Sequence, residues 1–215
     1  MTYLQIVNAV LRRLRETQVS SVDDTTYTAL IGDFVNETKR EVEAAWNWSM
    51  LRTSVDVTTV ADTTGYSLTG SGKHYKILTV QNVSGKFDMY QVPAKWIWDA
   101  TAYGTPGTGR AIYYTVDGVD SNGDSTITIY PTPDSAETLR FYLVVPQADL
   151  ETDTTEVSVP SWPIVLGAIS KAMTERGEDN SNTLQEHLMR YNSALTEAIA
   201  QDAARFPDEL IWSVY

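Results

Sequence analysis

The chain has 215 residues, of which 42% are hydrophobic and 20% charged, a composition that excludes disorder of the whole chain and suits one or two domains. It holds 28 acidic and 16 basic residues, and the net charge of −12 argues against tight binding of nucleic acid through its phosphates. There is no cysteine, which excludes disulfides and thiolate metal sites.

Residues 1–50 predict two amphipathic helices. In the first, Leu4, Val7, Leu11 and Leu14 recur at three- and four-residue steps, the spacing of one helical face. Residues 19–24 break this pattern, and we expect Asp23 or Asp24 to cap a second helix over about 25–46. The predicted buried face of that helix comprises Leu30 or Ile31, Phe34, Val35, Thr38, Val42 and Ala45. Its other side carries the polar residues Asp33, Glu37, Lys39, Arg40, Glu41 and Glu43.

Residues 51–159 predict an antiparallel β domain. Short runs with apolar alternation recur along this segment, and its turns hold nine of the twelve glycines. The predicted strands cover 55–57, 66–68, 75–83, 89–92, 111–116, 126–130 and 139–145. Strands this short are typical of a β-sandwich or a small β-barrel. Trp96 and Trp98 lie in a stretch that the pattern leaves unassigned.

Residues 160–205 predict two further helices, and residues 206–215 an extended C-terminal tail. Ser161 is expected to cap the first helix and Gly177 to end it. The apolar stripe of the second comprises Leu184, Leu188, Tyr191, Leu195 and Ala198 or Ile199. Neither helical end has enough apolar faces to close a core alone. We therefore predict an α+β fold in which 1–50 and 160–205 form one antiparallel helical bundle, with the β domain inserted between them.

Motifs of catalysis or cofactor binding are missing from the sequence. His74 and His187 are its only histidines, and we expect His187 to be packed or to lie at the rim of a core. The run 117–124 offers Asp120, Asn122 and Asp124 at calcium-loop spacing, but Asn122-Gly123 predicts a hairpin turn. We therefore predict no enzyme activity, no cofactor and no metal site.

Two features predict interaction surfaces. The tail carries six large apolar residues outside any predicted helix: Phe206, Leu210, Ile211, Trp212, Val214 and Tyr215. Such side chains need cover, either from the same chain or from another subunit or protein. Arg12, Arg13 and Arg15 lie mostly off the apolar stripe of the first helix. They are either solvated or paired with an acidic neighbour in an assembly.

Four segments resemble the head-to-tail adaptor, or connector, proteins of short-tailed bacteriophages, the family that includes tail tubular protein A. They are TYLQIVNAVLRRL (2–14), EVEAAWNWSMLRT (41–53), TLRFYLVVPQADL (138–150) and VPSWPIVLGAISKAMTERGED (159–179). The most telling pattern is an aromatic strand, a proline, a short acidic linker and a small-residue helix that ends in Glu-Arg-Gly. The resemblance spans nearly the whole chain.

The resemblance implies a structural virion protein at the head–tail junction, present in the host cytoplasm during assembly. Such adaptors form a ring of twelve subunits beneath the portal protein and provide the docking surface for the tail nozzle protein. Their helical domain usually meets the portal, and their β domain faces outward or toward the tail. DNA would pass through the channel without sequence-specific binding, helped by repulsion from the acidic chain. No membrane partner is expected.

Two alternatives stay open at this point. Aromatic residues can stack on sugars, so the chain could be a carbohydrate-binding or peptidoglycan-cleaving virion protein, marked by an acidic pair in an aromatic cleft. It could also be a tail or head-completion protein of another ring type, which would bind a different neighbour.

Overall fold

The computed structural model describes residues 1–72, 74–104, 107–177 and 182–205. In these residues the protein is a mixed α+β protein with five α-helices and two four-stranded sheets. The chain divides into two compact units. The helical unit combines Met1–Leu51 with the described residues from Pro146 onward, and the β unit is Arg52–Val145.

Four of the helices belong to the helical unit, and α3 belongs to the β unit. Their bounds are α1 Tyr3–Arg13, α2 Thr26–Ala45, α3 Ala94–Ala102, α4 Ser161–Glu175 and α5 Asn182–Ala203. The first two lie where the apolar spacing predicts them. The side chain of Thr25 accepts a hydrogen bond from the Thr28 N–H and so caps α2. The predicted cap at Asp23 or Asp24 is wrong, because both residues belong to the 3₁₀ turn Val22–Asp24 that precedes it.

The helix α4 is the centre of the helical unit, since it contacts α1, α2 and α5. Its close approach to two of them depends on Gly167, which has no side chain. A Cβ atom there would lie 2.4 Å from Thr38 Cγ2 on α2 and 3.2 Å from the Tyr191 ring on α5. Ser161 is the first residue of α4 and not its predicted cap, a position that Pro160 takes.

One face of α2 differs from the prediction. Lys39 and Glu43 are buried, although the sequence places them on the polar side of the helix. The segment 146–159 covers them as it returns to the helical unit. Lys39 Nζ donates to both Glu43 carboxylate oxygens at 3.1 Å and to the Gln147 carbonyl at 2.6 Å. The predicted burial of Ala45 is also wrong, because this residue at the end of α2 is exposed.

The β unit consists of two sheets that share one core. The strands are β1 Arg52–Thr58, β2 Gly65–Ser67, β3 Lys76–Asn82, β4 Phe87–Asp88, β5 Tyr90–Gln91, β6 Tyr113–Val119, β7 Ser125–Tyr130 and β8 Thr138–Val144. The sheet orders are β1-β8-β3-β4 and β2-β7-β6-β5. Every pairing is antiparallel except that of β5 with β6, which is parallel. Inward residues from both sheets, such as Phe141 and Ile127, form a single buried cluster, as expected when two sheets pack face to face.

The loop at 120–124 is the turn of the β6–β7 hairpin, as Asn122-Gly123 predicts. The Asp120 carboxylate accepts the backbone N–H groups of Asn122 and Asp124, and Gly123 has a φ of 89°. The Asp124 carboxylate accepts the N–H groups of Gly70 and Gly72. Both carboxylates are therefore used to hold loop backbone.

Candidate interaction surfaces

The β unit exposes a set of aromatic side chains around α3. Trp96 lies with its ring centroid 5.0 Å from that of Tyr113 and 5.6 Å from that of Tyr130. Trp98 and Tyr103 make no such ring contacts among the described residues, and they are 59% and 88% exposed. We call Tyr90, Trp96, Trp98, Tyr103, Tyr113 and Tyr130 the aromatic surface.

The sequence left this segment unassigned, although local features point to a helix. Pro93 precedes the first turn, where a proline is favoured near a helix start, and Lys95 pairs with Asp99 one turn later. Ile97 is the one buried residue of α3, and the two tryptophans flank it in sequence. Because a single buried residue gives no apolar stripe, periodicity could not find this helix.

The three arginines at the end of α1 form what we call the basic surface: Arg12, Arg13 and Arg15. All three are exposed, and none makes an ion pair with another described residue. The Arg13 guanidinium lies 4.7 Å from the centroid of the Trp162 ring, and its Nη1 donates to the Ala9 carbonyl. A cation over an indole face is attracted by the negative ring surface, so Arg13 is held in place.

Arg15 has a left-handed backbone conformation, with φ of 60°. It follows the last turn of α1, where its N–H donates to the Arg12 carbonyl and the Glu16 N–H donates to the Leu11 carbonyl. This pair of bonds is the common helix-ending motif whose left-handed position is usually glycine. The chain therefore holds an arginine at a position where glycine would be less strained.

An open cleft of about 420 Å³ adjoins the basic surface. It is lined by Arg13, Trp162, Leu166, His187, Arg190, Ser193, Ala194 and Glu197. His187, expected to be packed or to lie at the rim of a core, is half-buried at this cleft, and its Nδ1 has no hydrogen-bond partner among the described residues. The Arg190 charge is paired with Glu186 on the same helix.

The opposite end of α1 lies among carboxylates. The side chains of Tyr3 and Val22 both pack closely on Gly32 of α2. A Cβ atom at Gly32 would lie 2.3 Å from the Tyr3 hydroxyl and 2.8 Å from Val22 Cγ1. Asp33 follows Gly32 in the chain, and Asp23 follows Val22. These contacts therefore bring the two aspartates to the same end of the helical unit. Asp153 joins them, since its Oδ1 accepts the Val22 N–H at 3.0 Å.

The titration of Tyr3 reflects this environment. Burial first, and then the negative charges of Asp33, Asp23, Asp149 and Asp153, raise the pKa of the Tyr3 phenol to about 12. Asp149 is compensated by a bidentate ion pair with Arg40, at 3.0 and 2.8 Å. The other three carboxylates have no ion pair among the described residues. We call Asp23, Asp33 and Asp153 the acidic surface.

A comparison with protein families decides what kind of protein this is. The family described as SU10 adaptor protein matches residues 1–211. The chain belongs to this family of phage head-to-tail adaptors. The resemblance seen in the sequence is thereby confirmed. No curated protein matches the chain.

The family is one of structural phage proteins and is not a class of enzyme. In the described part of this adaptor, no three histidine, aspartate or glutamate side chains are grouped so that they could hold a metal ion. None of its described helices combines the length and apolar character needed to cross a membrane.

The predicted contact residues divide between two regions. The structure places Arg12, Arg13 and Arg15 together at the end of α1. The six apolar residues of the predicted tail, from Phe206 to Tyr215, lie outside the described residues. The sequence analysis missed the acidic surface, because its three members come from segments that only folding brings together.

Proposed function

We propose that this adaptor forms a ring of twelve subunits between the portal protein and the tail nozzle protein, at the head–tail junction of the virion. The observation that supports this most is the family match over residues 1–211. The ring would continue the channel for DNA, which passes without sequence-specific binding. A net charge of −12 would repel the phosphates and favour sliding.

The residues that make the contacts are part of the proposal. The tail residues Phe206, Leu210, Ile211, Trp212, Val214 and Tyr215 would dock on the portal or on a neighbouring subunit, because large apolar side chains gain most from cover. Arg12, Arg13 and Arg15 would contribute a second, charged contact. The aromatic surface of the β unit would receive the tail nozzle, since exposed Trp and Tyr side chains are the residues most enriched at binding hot spots.

A mass measurement on the adaptor, alone and mixed with portal ring from the same source, tests the ring. The expected complex exceeds the portal mass by about 287 kDa, twelve times the 23.9 kDa of one chain, the mass of a closed ring of twelve subunits. The mass of the adaptor alone shows whether the portal templates the ring. An adaptor that stays monomeric beside the portal would overturn the proposal.

A deletion of residues 210–215 tests the tail. We expect the shortened chain to keep the far-ultraviolet circular dichroism and unfolding midpoint of the full chain, while losing assembly on the portal. A full-length variant with serine at Leu210, Ile211 and Trp212 keeps the chain length and should lose assembly too. Assembly of both variants at the full-length yield would refute the role of the tail.

The aromatic surface is tested by a Trp98→Ala/Tyr103→Ala variant. Both side chains are more than half exposed, so we expect the fold and the ring on the portal to be retained. Binding of the tail nozzle protein to that ring should weaken by roughly 30-fold or more, the loss typical of hot-spot residues. A matched control is Met50→Ala/Met189→Ala, which removes exposed apolar side chains from the helical unit. Nozzle binding by the aromatic variant at wild-type strength would contradict this assignment.

The same aromatic surface favours one alternative function, the binding of carbohydrate by a virion protein. Exposed indole and phenol rings can stack on sugar faces. Titration of the adaptor with peptidoglycan fragments, followed by tryptophan fluorescence and by release of soluble fragments, separates the two functions. If the wild type binds or cleaves peptidoglycan fragments and the Trp98→Ala/Tyr103→Ala variant does not, the alternative function is favoured. If neither fluorescence change nor fragment release is seen with the wild type, the structural role is favoured.

A further inference from the structure

The helix α1 separates two surfaces of opposite charge. Its 11 residues span about 16 Å at 1.5 Å per residue. The acidic surface lies around its first residue, Tyr3, and the basic surface is at its last turn. One rigid element therefore holds carboxylates at one end of the helical unit and guanidinium groups at the other.

The charges on both surfaces are available for an external partner. Arg12, Arg13 and Arg15 have no carboxylate partner among the described residues, and the neighbouring Glu16 is already bound to Arg176 at 2.6 Å. Asp23 and Asp33 are exposed and likewise lack an ion pair among the described residues. Each surface thus has three charges of one sign that form no ion pair in the described helical unit, although the Arg40 charge, paired with Asp149, also acts on Asp33.

The backbone at Arg15 is left-handed, as it also is at Asp62 and Lys86. A non-glycine residue at φ of 60° is strained relative to glycine at the same helix-ending position. The Arg15 side chain makes no ion pair among the described residues, so its charge is available to a partner.

We propose that the basic surface of one subunit docks on the acidic surface of the next subunit around the ring. This inference rests on the ring assembly proposed above and assigns its subunit contact. A ring of identical subunits needs a heterologous contact, made by two different patches of each chain. Opposite charges on two separate ends of one unit meet that need, because each subunit presents one patch of each sign.

The number and sign of the charges on the two surfaces favour a second adaptor chain as the partner that binds the basic surface. The three arginines face three carboxylates on the acidic surface of an identical chain. Like charges at a wrong register repel, so this contact also fixes the orientation of successive subunits.

A charge exchange between the two surfaces tests the contact directly. One variant, Arg12→Glu/Arg15→Glu, makes the basic surface acidic, and another, Asp23→Lys/Asp33→Lys, makes the acidic surface basic. Both sets of side chains are exposed and make no side-chain hydrogen bond among the described residues. Assembly on the portal ring is measured by mass, after circular dichroism has shown that each variant is folded.

The expected results form a pattern that a loss of folding cannot imitate. Each variant alone should lose at least 90% of the complex that the wild type forms. An equal mixture of the two should restore assembly, with both variants present in equal numbers, because each reversed surface then meets a reversed partner. A single chain carrying all four substitutions should also assemble alone.

Control variants separate surface charge from net charge. Lys86→Glu/Lys95→Glu and Asp88→Lys/Asp134→Lys make the same changes in net charge on exposed side chains of the β unit, and both should assemble. Failure of wild-type assembly would overturn the ring itself and this contact with it. If the wild type assembles, three results would each overturn the contact alone. They are assembly of the charge-reversed variants at the wild-type level, an equal loss of assembly in the controls, and a mixture of the two variants that stays unassembled.

Arg15→Gly gives a readout that a merely structural role would not produce. Glycine suits the left-handed backbone, so the unfolding midpoint should rise. The same change removes one of three charges, so assembly should fall severalfold. A variant that is more stable and assembles as well as the wild type would contradict a role for Arg15 in the contact.

Discussion

The two units of this adaptor are built on different interiors. In the helical unit, α4 packs against α1, α2 and α5, and a charged pair of α2, Lys39 and Glu43, is buried under the segment 146–159. In the β unit, one carboxylate, Glu137, is buried beside the apolar cluster, where it accepts a hydrogen bond from Asn82 and pairs with the exposed Arg110. The pair of Arg140 with Asp56 lies at the surface, so no complete ion pair of the described β unit is buried as Lys39 and Glu43 are. Equivalent substitutions should therefore have very different effects in the two units.

The exposed surfaces of the two units also differ in the type of side chain that they present. The helical unit presents opposite charges at the two ends of α1, whereas the β unit presents aromatic rings. Charged contacts set orientation and partner choice, while aromatic contacts supply most of the binding free energy at an interface. The proposed ring contact and the proposed nozzle contact would each use one of these two kinds of surface.

The largest effect on stability should follow loss of the buried lysine. In Lys39→Met, the Glu43 carboxylate stays buried without its ammonium partner. We expect the free energy of unfolding to fall by about 3–5 kcal/mol, the usual result of breaking a buried pair on one side. Urea unfolding at pH 7 measures this change.

The double variant Lys39→Met/Glu43→Leu is the control for this experiment. Burial raises the pKa of Glu43, and Lys39 opposes that effect, so removing both groups also removes the desolvated charge. We expect the double variant to recover most of the loss. Equal instability of the single and double variants would show that packing, and not the uncompensated charge, is responsible.

Two glycine substitutions compare packing in the two units. Gly167→Ala on α4 would place a Cβ 2.4 Å from Thr38 Cγ2, so neighbouring helices must shift. We expect a loss of about 1–3 kcal/mol, typical of an overpacked core. Gly118→Ala on β6 meets only Thr126 Oγ1, at 3.8 Å, and should leave the unfolding free energy nearly unchanged. Similar losses at both positions would contradict the contrast in packing.

The carboxylate of Asp202 gives a pH-dependent test in the helical unit. It is 3% exposed and accepts hydrogen bonds from Ser49 Oγ at 2.5 Å, the Ser49 N–H at 3.0 Å and Trp46 Nε1 at 3.2 Å. Burial raises the pKa of Asp202, but these hydrogen bonds outweigh it and leave the pKa below its usual value of 3.8. We expect Asp202→Asn to lower the free energy of unfolding by about 1–2 kcal/mol at pH 7.

The sign of the pH dependence follows from the lowered pKa. A carboxyl group with a lower pKa in the folded state stabilises the fold above its unfolded pKa and loses that contribution as the pH falls through its folded pKa. The difference between wild type and Asp202→Asn should be constant from pH 7 to about 5 and shrink below about pH 4. Chemical unfolding at five pH values measures it, and a difference that grows on acidification would be the opposite result.

Part of this architecture could be predicted from the sequence because its elements carry regular patterns. The stripe of Leu4, Val7 and Leu11 predicts α1, and apolar alternation in 139–145 predicts β8. The burial of Lys39 could not be predicted from α2 alone. It depends on the segment 146–159, which covers that face and supplies the Gln147 carbonyl as a third acceptor.

The candidate surfaces show the same limit. Three arginines within four residues stand out in the sequence, so the basic surface could be predicted. The acidic surface combines Asp23, Asp33 and Asp153, and the last of these is more than a hundred residues away from the others. Its charges are brought together by the packing of Tyr3 and Val22 on Gly32, a tertiary contact that no local pattern encodes.

The smallest effect should come from the surface ion pair of the β unit. Arg140 joins Asp56 through two hydrogen bonds of 2.7 Å, and their side chains are 38% and 45% exposed. Arg140 lowers the pKa of Asp56, but water already solvates both groups well, so the pair has little desolvation to recover. Arg140→Met should leave the urea midpoint within the scatter of repeat measurements. A midpoint shift as large as that of Lys39→Met would show that exposure is not what distinguishes the two ion pairs.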